Sequence, residues 1–179
     1  MNLQELRLDC AKNQKKGLHF IMASVVIWCA ILIVQLLNLP ALTKNLMTFC
    51  CTAPLLPIAF FISKILKIDF SHKENPLTKL GILFSVNQIL YLLIAMWIYQ
   101  AIPEKMLMVI AIIFGAHLMP YSWLYLSKTY LVLSILIPIA ALFVGLSFSS
   151  YMLALMMVFI EICFCICLVI ENKKIEKTA

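Results

Sequence analysis

The stretch YMLALMMVFIEICFCICLVI, residues 151–170, decides the class of fold. It holds a single charged side chain, Glu161, and has no polar face. A helix of that length rises about 30 Å, the thickness of a bilayer's hydrocarbon core. A helix that is apolar all round is one that lipid or protein surrounds. Five further runs share its character: Leu18–Leu37, Asn45–Ser63, Leu80–Ile102, Met106–Leu126 and Tyr130–Phe148. None alternates apolar with polar as a barrel strand would. The predicted fold is all-α, a polytopic transmembrane bundle of six helices.

Composition agrees. The chain has 179 residues, of which 64% are hydrophobic and 12% charged, too few polar groups to wet the surface of a soluble domain. Its organisation reads as a basic N-terminal segment (1–17), a six-helix membrane domain (18–170) and a short tail (171–179). Arg7, Lys12, Lys15, Lys16, Lys64, Lys67, Lys73, Lys79, Lys128, Lys173, Lys174 and Lys177 fall on one side; only Lys44 and Lys105 fall on the other. By the positive-inside rule both termini are expected to be cytoplasmic, with the first helix uncleaved. The net charge of +6 then concerns lipid headgroups, and no nucleic-acid partner is expected. The segment NLQELRLDC reads either as an amphipathic turn on the membrane, with Leu3, Leu6 and Cys10 on one face, or as a frayed basic tail.

Local signals mark the helix ends. Asn75 and Pro76 suit the start of the third helix, Ser127 or Thr129 that of the fifth, and Ser149 or Ser150 that of the sixth. Trp97 and Tyr99 match an outer aromatic belt, and Tyr121, Trp123 and Tyr125 an inner one. Pro54, Pro57, Pro120 and Pro138 are expected to kink their helices, each by removing a backbone hydrogen bond. Freed carbonyls of this kind serve packing in most membrane helices and line binding sites in some.

Polar residues converge on one depth. At 1.5 Å per residue, His117 lies roughly 18 Å from the outer Lys105, Glu161 roughly 16 Å from Ser150, and Gln88 roughly 13 Å from the inner Lys79. An ionised carboxylate at the centre of a lone helix is penalised by about 2.5–3.5 kcal/mol or more. Glu161 must therefore face the interior, be neutral or have a partner, and His117 is the expected partner. Thr78, Gly81, Ser85 and Gln88 share a helix face, with Asn87 and Tyr91 beside it. Ser134, Pro138, Ala141 and Gly145 form a small-residue stripe, and Ser24, Trp28 and Gln35 share a face of the first helix. Glu161, His117, Gln88, Asn87 and Tyr91 are thus the candidate ligand or proton-binding residues. Such polar groups can also serve only as interhelical glue, at around 0.6 kcal/mol per hydrogen bond.

No catalytic role is expected. The sequence has no H-E-x-x-H, no G-x-S-x-G, no phosphate-cradling glycine loop and no second midplane carboxylate. Cys163, Cys165 and Cys167 alternate along a helix and point to different sides, so no metal and no cofactor is expected.

The stretches LRLDCAKNQKKGLHFIMASVVIW, KENPLTKLGILFSVNQILYLLIAMW and FGAHLMPYSWLYLSKTY together resemble an uncharacterised family of small multi-pass bacterial integral membrane proteins. The resemblance spans most of the chain and implies a bacterial plasma membrane, with no activity to carry over. From the residues, the leading expectation is a small carrier or channel-like protein. Its two three-helix halves would form an inverted repeat, with prolines in the second and fifth helices. The alternative is a non-transport protein (immunity, stress response or assembly) that acts through helix contacts. Its partners would be lipids, a second copy or another membrane protein.

Overall fold

The computed structural model describes residues 2–69 and 74–178, with side chains of the last helix described to Ile175. Nine α-helices are present among the described residues: α1 Leu3–Asn13, α2 Leu18–Leu36, α3 Ala41–Thr52, α4 Leu55–Ile65, α5 Leu77–Ala101, α6 Met106–His117, α7 Met119–Leu124, α8 Lys128–Ser147 and α9 Ser150–Thr178. They make six stretches long and apolar enough to cross a membrane, with α3–α4 forming the second and α6–α7 the fourth. An even number of crossings returns both termini to one end, which also holds Lys15, Lys16, Lys64 and Lys128. Lys73 and the side chain of Lys177, both assigned to that end, lie outside the described residues.

The core is the contact of α2 with α9. On α2 the buried residues Ile21, Ser24, Trp28, Ile31 and Gln35 recur at three- and four-residue spacing, and on α9 Ala154, Met157, Glu161, Phe164 and Leu168 do the same. These are two matching helical seams, closed by apolar packing with one polar layer at the centre. Helix α8 packs on α9 and, more closely, on α6. Gly115 lies against Ile137 and Pro138, and Gly145 against Met108, so tightly that a Cβ on either glycine would come within 2.6 Å and 2.5 Å of its neighbour. The small-residue stripe of α8 lets α6 approach. Helices α4 and α5 are peripheral, with few buried residues of their own.

The prolines act unequally. Pro54 sits at the break between α3 and α4, and Pro57 in the first turn of α4, where a missing N–H breaks nothing further. Pro120 lies in the first turn of α7, after a break at Leu118. Pro138 stands inside an unbroken α8 and packs on Gly115. The breaks therefore fall in the second and fourth crossings, whereas the inverted-repeat expectation placed them in the second and fifth.

The N-terminal segment is a helix and not a frayed tail, and of the face expected to hold Leu3, Leu6 and Cys10, Cys10 is buried against the bundle while Leu3 is exposed. Asn2 and Glu5 form a capping box, and α1 docks through Arg7, Cys10, Ala11 and Gln14, leaving Leu3 and Leu8 exposed. Arg7 donates to the carbonyl of Trp123 and lies 4.3 Å over its ring. Asn75 donates to Leu6 O and to Asp9, while its own Oδ1 accepts from Leu77 N, so the expected cap of α5 also ties α1 down. Burial pushes the Cys10 thiol up to about 11, so it stays protonated and unreactive while α1 is docked.

The link from α1 to α2 is strained. Lys15, Lys16 and Gly17 have φ of 44°, 52° and 69°, a left-handed turn that non-glycine residues adopt only when held. It is held by Asn172 donating to Lys15 O (2.9 Å), Tyr130 to Lys16 O (3.0 Å) and Lys15 Nζ to Leu66 O (3.0 Å). A Cβ at Gly17 would stand 3.1 Å from Tyr130 Oη and 3.2 Å from the Tyr125 ring. Gly17→Ala is predicted to cost roughly 1–2 kcal/mol from the left-handed backbone alone. Thermal unfolding in detergent checks this, and an unchanged midpoint would show that the turn is not under this constraint.

Candidate functional site

Two polar layers, not one, occupy the bundle. The first is built by the α2–α9 seam. Glu161 is fully buried, and its Oε2 is hydrogen-bonded to Ser24 Oγ. Its Oε1 has no hydrogen-bond partner among the described residues. Ser24 Oγ also lies 2.8 Å from Ile21 O, one turn back on its own helix. One hydroxyl hydrogen thus faces two acceptors, a carbonyl that can only accept and a carboxyl that can either accept or donate.

His117 is not the partner of Glu161. No ion pair joins them, and the imidazole instead sits at the end of α6 between aromatic rings, 5.5 Å from Phe114 and 6.2 Å from Tyr121. Its Nδ1 is buried without a hydrogen-bond partner among the described residues. Tyr121 links this layer to α5: its hydroxyl lies 2.6 Å from Ser85 Oγ and donates to Gly81 O at 3.0 Å. Gln88, half-buried, shares that face of α5. Asn87 and Tyr91 are exposed and bonded to each other, Asn87 Nδ2 donating to Tyr91 Oη at 3.0 Å. The structure therefore brings His117 toward the Ser85 face and leaves Asn87 and Tyr91 outside.

Between the two layers stands a tyrosine cluster. Tyr121, Tyr125 and Tyr130 have ring centroids 5.8–6.0 Å apart, and Tyr130 stacks edgewise on Phe164, the next turn of α9 after Glu161. Tyr125 and Tyr130 are buried, Tyr125 donating to Gln14 Oε1 at 2.8 Å. The expected inner aromatic girdle is thus only Trp123; Tyr125 turns inward to Gln14, at the end of α1, and Tyr121 to Ser85 and Gly81 of α5. Trp97 does face outward.

Below the tyrosines lies a cluster that sequence reading assigned to loops and tail. Glu171 accepts from Lys16 Nζ (2.7 Å), Ser127 Oγ (2.7 Å), Thr129 Oγ1 (2.6 Å) and Thr129 N (3.0 Å). Ser127 also caps α8 by accepting from Tyr130 N, so the carboxylate sits at a helix N-terminus, where the dipole favours it. The signal in the sequence was the Ser127-Lys128-Thr129 cap; its acidic partner lies 44 residues away from Ser127. At the opposite end Lys44 and Lys105 donate to Gln35 O and Gly145 O, near the carbonyl termini of α2 and α8. A shallow cleft at that end is lined by Glu104, Lys105, Gly145 and Ser149, well away from Glu161.

A family model described as a family of unknown function (DUF7010) matches residues 3–171, and the chain belongs to that family. No curated protein and no solved structure matches the chain.

The pair Lys16–Glu171 has side-chain exposures of 5% and 19%, so removing the lysine leaves a largely buried carboxylate with only the neutral donors of Ser127 and Thr129. Lys16→Met is predicted to lower stability by about 3 kcal/mol, and adding Glu171→Gln should recover part of it. Unfolding midpoints of the single and double variants test this; simple additivity would mean the two groups are not coupled.

Proposed function

We propose that this member of a family without an assigned activity is a small carrier-type membrane protein in which Glu161 takes up and releases a proton. The observation that carries the reading is a fully buried carboxyl that has, among the described residues, one polar contact, no cation and one unpartnered oxygen. A carboxylate in that setting lacks the compensation a buried charge requires. The neutral acid fits: its proton goes to Ser24 Oγ, the serine hydrogen goes to Ile21 O, and Oε1 is left as an ordinary carbonyl. Release of that proton needs motion that brings water or a solute to the seam. The break at Leu118 supplies a place for it, since discontinuous membrane helices accommodate such motion at transport sites. His117, at the break, and Gln88 are the polar contacts offered to a solute.

The setting we propose is the plasma membrane of a bacterium, with the lysine-rich end and both termini in the cytoplasm. No catalytic step is assigned to the chain. The competing reading is a protein that works through helix contacts with a membrane partner, and the lipid-facing polar pair Asn87–Tyr91 favours it.

Carbodiimide, an apolar reagent for protonated carboxyls, separates the two when labelling is read by mass spectrometry in lipid across pH. Modification of Glu161 that fades as the pH rises, with Glu161→Gln folded but devoid of solute-dependent proton flux, is the expected result. A Glu161 unlabelled at every pH, while Glu104 reacts, would leave it as sealed packing and remove the carrier reading. Retention of phenotype in Glu161→Gln would then point to the partner reading.

A further inference from the structure

Helix α5 is 25 residues long, yet only Thr78, Ala95 and Ile98 are buried along it. Its inward face carries Gly81, Phe84 and Ser85, which meet Leu124 and Tyr121 of α7. Away from that contact run Leu83, Asn87, Leu90, Ile94 and Trp97. Their spacing is 4–3–4–3, that of a left-handed helix–helix seam. The four apolar members are 50–65% exposed, and Asn87 is exposed with them.

Lipid can cover leucine, isoleucine and tryptophan, but it cannot satisfy an amide near the middle of a spanning helix. Asn87 gives one hydrogen to Tyr91, and its Oδ1 receives no hydrogen bond among the described residues. The described residues that join the spans lie at the ends of the helices, so the partner this depth calls for is another membrane helix.

We propose that this seam is the interface between two copies of the chain, joined as a parallel pair of α5 helices with Asn87 meeting Asn87 of the second copy. Copies inserted with the same topology are related by a two-fold axis along the membrane normal, and such an axis brings every residue opposite itself at its own depth. A lysine or carboxylate so placed would repel its own image. An amide carries both donor and acceptor and pairs with itself. A single asparagine in an otherwise apolar seam is also the device that fixes register in helix pairs. The self-complementarity of Asn87, at the one polar position of the stripe, selects a second copy over an unrelated helix.

Photo-crosslinking in native membranes tests this, with benzoylphenylalanine placed in turn at Leu90 and Ile94 on the seam and at Ile89 and Met96 off it. All four sites are half or more exposed, so none should disturb folding. The expected product is a covalent dimer of twice the chain mass from Leu90 and Ile94, and little from Ile89 and Met96. Asn87→Leu should reduce the Leu90 dimer roughly three- to tenfold, with an unchanged unfolding midpoint, and Asn87→Gln should retain most of it. A product containing a different protein, equal yields from both faces, or no product from the seam would each overturn the proposal.

Discussion

The rest of the structure is arranged around one constraint, a carboxyl group held in the middle of an apolar helix pair. Glu161 occupies the central step of the α9 stripe, and Ser24 the facing step of α2. The apolar members of the two seams close that layer off: Trp28 and Ile31 on one side, Met157 and Phe164 on the other, all buried. A polar pair in a dry seam fixes which residues face each other, because sliding either helix by a turn would strand the carboxyl against hydrocarbon. The pair thus sets the register of the first crossing against the last, and helix α8 packs on the α9 side of it.

The lysine-rich end shows a second use of polar contacts. The left-handed turn at Lys15–Gly17 is unfavourable by itself, and hydrogen bonds from α8 and α9 keep it. That turn aims α1 back under α5 and α7, where Gln14 meets Tyr125 and Thr78. The tyrosine cluster, lodged between Glu161 above and Lys16–Glu171 below, is consequently sealed from water at this end by α1.

Six apolar spans and their ends to within a few residues were legible in the sequence, because length and hydropathy alone determine them. The cap at Asn75 and the tight α6–α8 approach at Gly145 were legible too, through residue types with one physical use. Facing directions were not. Over residues 151–170 of α9 nearly every position is apolar, so the buried stripe through Ala154, Met157 and Leu168 has no compositional contrast with the lipid side. For the same reason His117 looked like a partner for Glu161. Depth places the two residues at one level, but the rotation of α6, set by the break at Leu118, turns the ring toward Phe114 and Tyr121. Tyr121 and Tyr125 resembled an interfacial belt because their polar partners, Gln14 and Ser85, come from distant elements. Ser24 was visible on its face of α2, but a lone serine gave no reason to prefer it over an imidazole.

The protonation state of Glu161 is the point on which the account turns, and infrared spectroscopy of the protein in lipid at neutral pH reads it directly. The account predicts a carbonyl-stretch band of a protonated carboxyl in an apolar setting, absent from Glu161→Gln, shifted in frequency by Ser24→Ala and slowly shifted on transfer to heavy water. A spectrum in which Glu161→Gln removes only ionised carboxylate intensity would contradict it, since a stable charge at that position would demand a partner that Ser24 does not provide.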